Sequence, residues 1–122
     1  MHKLWIILGA VNGFMSVAFG AFAAHGLKGK IDDVSLASVI TSARYQMYAA
    51  LTLVLIGLLT LHAINRWLTY AGVCFTLGAV FFCGSLYLMA LTQIKGLGIV
   101  TPVGGLLFLV GWVLVGVSAF KG

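Results

Sequence analysis

Nine charged residues divide this 122-residue chain so that four windows, 4–27, 45–65, 67–94 and 96–120, carry no formal charge. The windows are 24, 21, 28 and 25 residues long. A helix crosses the hydrocarbon core of a bilayer in about 20 residues. Within that core the backbone must satisfy its own hydrogen bonds, so an apolar spanning window is a helix. Soluble domains carry about 25% charged residues, whereas this chain carries 7% and is 62% hydrophobic. The expected fold is all-α: an integral membrane four-helix bundle, up-down-up-down, forming one transmembrane domain over 1–122. Its helices are expected at about 4–24, 45–64, 68–91 and 102–120. Such a composition excludes a soluble enzyme, a nucleic-acid-binding domain and a disordered tail.

The net charge of +5 does not point to nucleic acid, because the basic residues stand singly at the ends of apolar runs, where Lys and Arg anchor helices at headgroups. Lys3, Arg66 and Lys121 fall on the side of the two termini, and Lys28, Lys30, Arg44 and Lys95 on the other. That near-even split selects neither orientation. An aromatic belt is expected from Trp5, Trp67 and Tyr70 at the terminal side and from Tyr45, Tyr48 and Tyr87 opposite. His2-Lys3, the apolar run and Ala21-Phe22-Ala23 together mimic a cleavable signal peptide. The run exceeds a signal core in length, and it is read as a retained first helix.

Gly9, Gly13, Ser16, Gly20 and Ala24 recur at helical spacing, a small-residue face that lets helices approach closely in lipid. Gly26 is placed to cap that helix. Residues 25–44 form the one sizeable extramembrane segment, in which Asp32 or Asp33 starts a helix. Leu36, Val39, Ile40, Ala43 and Met47 form an apolar stripe opposite Ser35, Ser38, Thr41 and Ser42. The second helix therefore begins near Val34, and its first turns lie at the interface or extend beyond it before the crossing from Tyr45. Thr101-Pro102 reads as N-cap and first helical residue. Gly104, Gly105, Gly111 and Gly116 mark close contact along the fourth helix.

The islands Gly20-Ala21-Phe22-Ala23-Ala24-His25-Gly26-Leu27, Tyr45-Gln46, Gly84-Ser85-Leu86-Tyr87, Thr101-Pro102-Val103-Gly104-Gly105 and Gly111-Trp112 follow in an order and spacing similar to the YgdD-like family. The resemblance covers nearly the whole chain. That family comprises small multi-pass bacterial inner-membrane proteins with a eukaryotic relative and no characterised role. The resemblance implies a multi-pass protein of the bacterial inner (cytoplasmic) membrane and brings no activity, substrate or cofactor. Two departures are Ala23, where relatives tend to carry Gly, and Ala49, where they tend to carry His.

On the bundle, His25, Tyr45, Gln46, Ser85, Tyr87 and Thr101 all fall toward the side opposite the termini, a candidate polar pocket or docking surface. Asn12, Thr76 and Trp112 lie at one depth by helical rise. Asn12 is expected to face the interior and bond to another helix or its backbone. His2 and His62 belong to the terminal side and His25 to the other, about 30 Å apart across the core, so no metal site is expected. Cys74 and Cys83 are nine apart, on opposite faces of one helix, and act as packing residues. No cofactor is expected. Catalysis requires a nucleophile with a base, or paired carboxylates; the only acids, Asp32 and Asp33, are adjacent in a loop. The expected role is a non-catalytic accessory, scaffold or lipid-contacting subunit. The alternative is a small-solute or ion channel or transporter that works as an oligomer. Expected partners are membrane lipids, further copies of the chain or a larger membrane complex, and no nucleic acid.

Overall fold

The computed structural model describes residues 2–27, 29–62, 65–92 and 95–121. Among them every regular element is helical. The first helix, α1, spans His2–Phe22 and continues into a π-helical turn, Ala23–Leu27. The second, α2, runs unbroken over Asp33–His62. The third crossing is α3 (Arg66–Gly78), a π segment (Ala79–Cys83) and α4 (Gly84–Thr92) in continuous succession. A 3₁₀ turn, Lys95–Ile99, leads into α5, Thr101–Lys121. Four of these helices or helix runs are long and apolar enough to cross a membrane, which makes the molecule a four-helix bundle of the expected class. The expected end of the second helix at Ile64 lies outside the described residues.

Each helix starts where its residues dictate. Asp32 caps α2, with its carboxylate accepting from the Ser35 N–H at 3.2 Å and its carbonyl from the Leu36 N–H, which satisfies donors no preceding turn could. Asn65, extended at φ −142°, caps α3 by accepting from the Trp67 N–H. At α5 the expected cap is different. The Val100 carbonyl accepts the first helical N–H groups, and the Thr101 hydroxyl bonds to a neighbouring helix instead. Gly26 is likewise not the left-handed cap. It lies inside the π turn against the Phe22 ring, and the positive φ of 82° belongs to Gly29 in the following turn.

The helices alternate in direction. Gly9 packs on Ala50 and Val54 while Gly20 meets Ala43, so α1 and α2 are antiparallel. An added Cβ on Gly9 would stand 2.7 Å from the Ala50 carbonyl oxygen, so glycine sets how closely these helices approach. Gly13 lies on the same seam, and the Ser16 hydroxyl donates to the Ala43 carbonyl at 2.6 Å. The seam continues at Ala23, which is fully buried, and Ala24 is exposed. A spacing of four, three, four and three keeps one face inward, and a further step of four drifts off it.

On the other flank α5 packs antiparallel on the third crossing. Gly104 lies against the Phe82 backbone, Gly111 against the Phe75 ring and Gly105 beside the Phe82 ring. Gly116 has open space around it. Asn65 ties the base of this pair together by donating to the Ser118 carbonyl at 3.1 Å. The centre is held by α2 against the third crossing, with Leu53, Ile56, Leu68 and Phe75 in one buried cluster and Val39, Cys83 and Tyr87 in another nearer the opposite end.

The segment ahead of Tyr45 extends the crossing helix; it does not lie flat. Of the expected apolar stripe Val39 and Ala43 are buried and Ile40 is exposed, while Ser35 and Ser42 of the opposite stripe are buried as well. In lipid an apolar side chain needs no cover, whereas a hydroxyl needs a partner. Trp5 and Tyr87 both depart from the expected aromatic belt: Tyr87 is buried in the interior, and Trp5 fills the space that Gly72 leaves. It is 3% exposed and packs flat on Gly72, and its indole N–H has no partner among the described residues.

Candidate functional site

A polar layer crosses the interior of the bundle. Gln46, on α2, donates through Nε2 to Asn12 Oδ1 at 3.1 Å and accepts at Oε1 from the Tyr87 hydroxyl at 2.8 Å. Asn12 Nδ2 donates to the Leu8 carbonyl one turn back. Helical side chains lean toward their own N-termini. Gln46 and Tyr87 therefore reach toward each other from antiparallel helices, one turn from the level of the Ser42–Cys83 contact. Phe19 of α1 stacks on the Tyr87 ring, with centroids 4.1 Å apart. A neutral amide–phenol chain of this kind meets its hydrogen-bonding needs inside the protein, which is what the hydrocarbon core demands.

The six residues expected to share one pocket divide three ways. Gln46 and Tyr87 belong to this layer. Ser85 and Thr101 form a second pair, with their hydroxyls 2.6 Å apart across the third crossing and α5. His25 is exposed in the π turn, and Tyr45 is 42% exposed on the outer side of α2. They do not converge. Of the intramembrane trio, Asn12 and Thr76 line one groove, between α1 and the third crossing, while Trp112 is 51% exposed and lines another. Equal depth did not place Trp112 with them, because helical rise fixes height and leaves the facing direction open. Thr76 bonds within its own helix, to the Gly72 carbonyl.

The two grooves flank the central pair of helices. The Asn12 groove, about 360 Å³, has Gln46, Cys83 and Tyr87 among its lining residues. The other, the outer groove, is about 500 Å³ and lies where α2, the third crossing and α5 meet. Phe75, Phe82 and Phe108 form its inner wall, and Tyr45, Tyr48, Leu109 and Trp112, all exposed, form its mouth. Its aromatic rings brace one another: Tyr45 meets Phe82 at 5.2 Å, and Phe75 meets Trp112 edge-on at 5.2 Å. Gly105 leaves the width between them. No group of three or more metal-ligating side chains occurs among the described residues. The free thiols of Cys74 and Cys83 lie inside the third crossing.

Sequence reasoning missed Thr41, Phe82 and Phe108 as groove residues and Ser42 as a buried donor. Phe82 and Cys83 fall in the π segment, whose extra residue per turn re-aims neighbouring side chains. Nothing in the local composition signals that shift.

Among known proteins, the chain is similar to bacterial membrane proteins throughout its length. It is 50% identical over 120 residues to a UPF0382 membrane protein of Staphylococcus haemolyticus, covering 98% of this chain and 97% of the relative. It is 48% identical over 124 residues to a UPF0382 membrane protein of Staphylococcus aureus, with the same coverage of each. It is 45% identical over 121 residues to the UPF0382 membrane protein YwdK of Bacillus subtilis, covering 98% of both. No solved structure matches. The family described as protein of unknown function (DUF423) matches residues 19–105, from Phe19 on the Tyr87 ring to Gly105 in the outer groove. With Gln46 and Tyr87 of the polar layer and most of that groove inside the match, the chain belongs to the DUF423 family of small, uncharacterised membrane proteins.

Proposed function

We propose that this protein is a non-catalytic, lipid-contacting component of the bacterial inner (cytoplasmic) membrane, and that its outer groove accommodates a lipid acyl chain. The observation that carries this reading is the groove between α2, the third crossing and α5. It is walled by Phe75, Phe82 and Phe108 and opens sideways past exposed Tyr45, Tyr48, Leu109 and Trp112. Apolar volume of this kind, open toward the hydrocarbon, matches an acyl chain in shape and polarity.

The buried polar side chains support the non-catalytic part. Among the described residues they are Ser16, Ser35, Ser42, Gln46, Thr52, Ser85 and Ser118, with no carboxylate, imidazole or amine; Gln46 is spent on Asn12 and Tyr87, and the buried Cys83 thiol and Tyr87 phenol are held in hydrogen bonds to Ser42 and Gln46. General acid–base chemistry and ion coupling both draw on ionisable groups held inside the fold. Leu53, Ile56 and Phe75 fill the centre, so a solute path through a single copy has no support. A helical bundle belongs to a bilayer that accepts helices, in keeping with the inner-membrane placement and the YgdD-like resemblance.

Native mass spectrometry of the protein after gentle extraction tests the proposal. Retention of one lipid per chain is expected. Stoichiometric retention of a foreign subunit without lipid would make it an accessory protein, and a lipid-free ring of identical copies would favour a pore.

A further inference from the structure

The outer groove has a charged residue beside its α2 edge. Thr41, Arg44, Tyr45 and Tyr48 stand at i, i+3, i+4 and i+7 of α2, which places them on one helix face. Three of the four line the groove. Arg44 is exposed and makes no ion pair among the described residues.

The height of Arg44 follows from two hydrogen bonds. The Ser16 hydroxyl bonds to the Ala43 carbonyl and the Ser42 hydroxyl to the Cys83 carbonyl, so this turn of α2 is level with Ser16 and Cys83. Cys83 is 17 residues beyond Arg66, a rise of about 25 Å. Ser16 is 13 residues beyond Lys3, a rise of about 20 Å. Lys3 and Arg66 mark the terminal face, and the hydrocarbon core is about 30 Å thick. The Arg44 backbone thus lies about 5–10 Å beneath the opposite headgroups. Its guanidinium extends upward to the phosphate layer, because a charge left in hydrocarbon is costly.

We propose that Arg44 and the outer groove together form a binding site for one anionic phospholipid. The guanidinium holds the phosphate, the Tyr45 and Tyr48 hydroxyls face the same headgroup region, and one acyl chain descends along Phe82 and Phe108 to Trp112. Charge complementarity selects this occupant over a second copy or a peptide. The charge on this stripe of α2 is positive, in a chain of net charge +5, and arginine's planar fork matches phosphate oxygens. Below Tyr48 the Trp112 indole is the one polar side chain in the lining, too little to satisfy a peptide backbone. This inference rests on the lipid-contacting reading and names the headgroup.

The test uses the full chain reconstituted into vesicles of equimolar phosphatidylglycerol and phosphatidylcholine, then native mass spectrometry of the lipid retained. One lipid per chain is expected, enriched in phosphatidylglycerol about fivefold over the bulk ratio, the effect of one cationic side chain near a phosphate. Arg44→Gln should keep a retained lipid but return the ratio to that of the bulk, and Arg44→Lys should keep most of the enrichment. Gly105→Leu, which fills the groove, should lose the lipid of either kind. Gly116→Leu, in open space on the same helix, should behave as wild type. A retained lipid with no phosphatidylglycerol preference, or a preference unchanged in Arg44→Gln, overturns the headgroup assignment and leaves the lipid-contacting reading standing. Enrichment that survives Gly105→Leu reduces Arg44 to an interfacial anchor and also overturns it. A wild-type protein that retains no lipid overturns both.

Discussion

Ser42 and Cys83 exchange hydrogen bonds between α2 and the third crossing: the Ser42 hydroxyl donates to the Cys83 carbonyl at 3.0 Å, and the Cys83 thiol donates to the Ser42 carbonyl at 3.3 Å. Both side chains are fully buried. Cys83 closes the π segment, where the helical ladder changes register, and side chains of neighbouring helices are the means by which such breaks are tolerated in lipid. Ser42→Ala should lower the stability of the detergent-solubilised protein by about 0.6 kcal/mol, the average worth of an interhelical hydrogen bond in a membrane. Cys83→Ser, which keeps a donor of similar size, should cost less than Cys83→Ala. Equilibrium unfolding in a denaturing detergent measures all three.

The Gln46–Tyr87 bond makes a separate prediction. Tyr87→Phe removes the donor and leaves the stacking on Phe19 intact. A double-mutant cycle of Gln46→Leu with Tyr87→Phe should give a coupling of about 0.6 kcal/mol, and no more than about 1.7. Additive effects would mean that the two side chains do not bond in the membrane.

The glycine seams differ in what they tolerate. At Gly104 an added Cβ would meet the Phe82 backbone, which cannot swing aside, whereas at Gly116 nothing lies nearby. Gly104→Ala should therefore destabilise by about 1–3 kcal/mol, the usual cost of overpacking a close contact, and Gly116→Ala should be neutral or slightly favourable. Thermal denaturation of the two variants side by side decides this.

Much of the fold was legible because a bilayer leaves few choices. Uncharged windows of sufficient length have to be helices, and the spacing of Gly9, Gly13, Ser16 and Gly20 already marks a packing face. Asn12 could be expected to turn inward because a carboxamide in hydrocarbon needs partners. Other features depend on contacts between helices that no local pattern carries. The Thr101 hydroxyl leaves its own helix for Ser85, and Ser42 turns into the core although a soluble amphipathic reading places it outside. The two π segments are invisible in composition, yet the one at Ala79–Cys83 directs Phe82 to one groove and Cys83 to the other.

The tryptophans distinguish the packed side of the molecule from the lipid-facing side. Trp5 is buried on Gly72, whereas Trp112 borders the groove and is half exposed. In vesicles with brominated acyl chains, a variant retaining only Trp112 should be strongly quenched, and one retaining only Trp5 should be quenched much less. Equal quenching would contradict the burial of Trp5.

The outer groove as a lipid site is most directly tested by an experimental structure of the protein in lipid nanodiscs, at a resolution that shows acyl chains. The account predicts one elongated density between α2 and α5, running from the level of Arg44 past Gly105 to Trp112. A groove closed by α5 moving onto α2, or filled by side chains of a second copy, would contradict it.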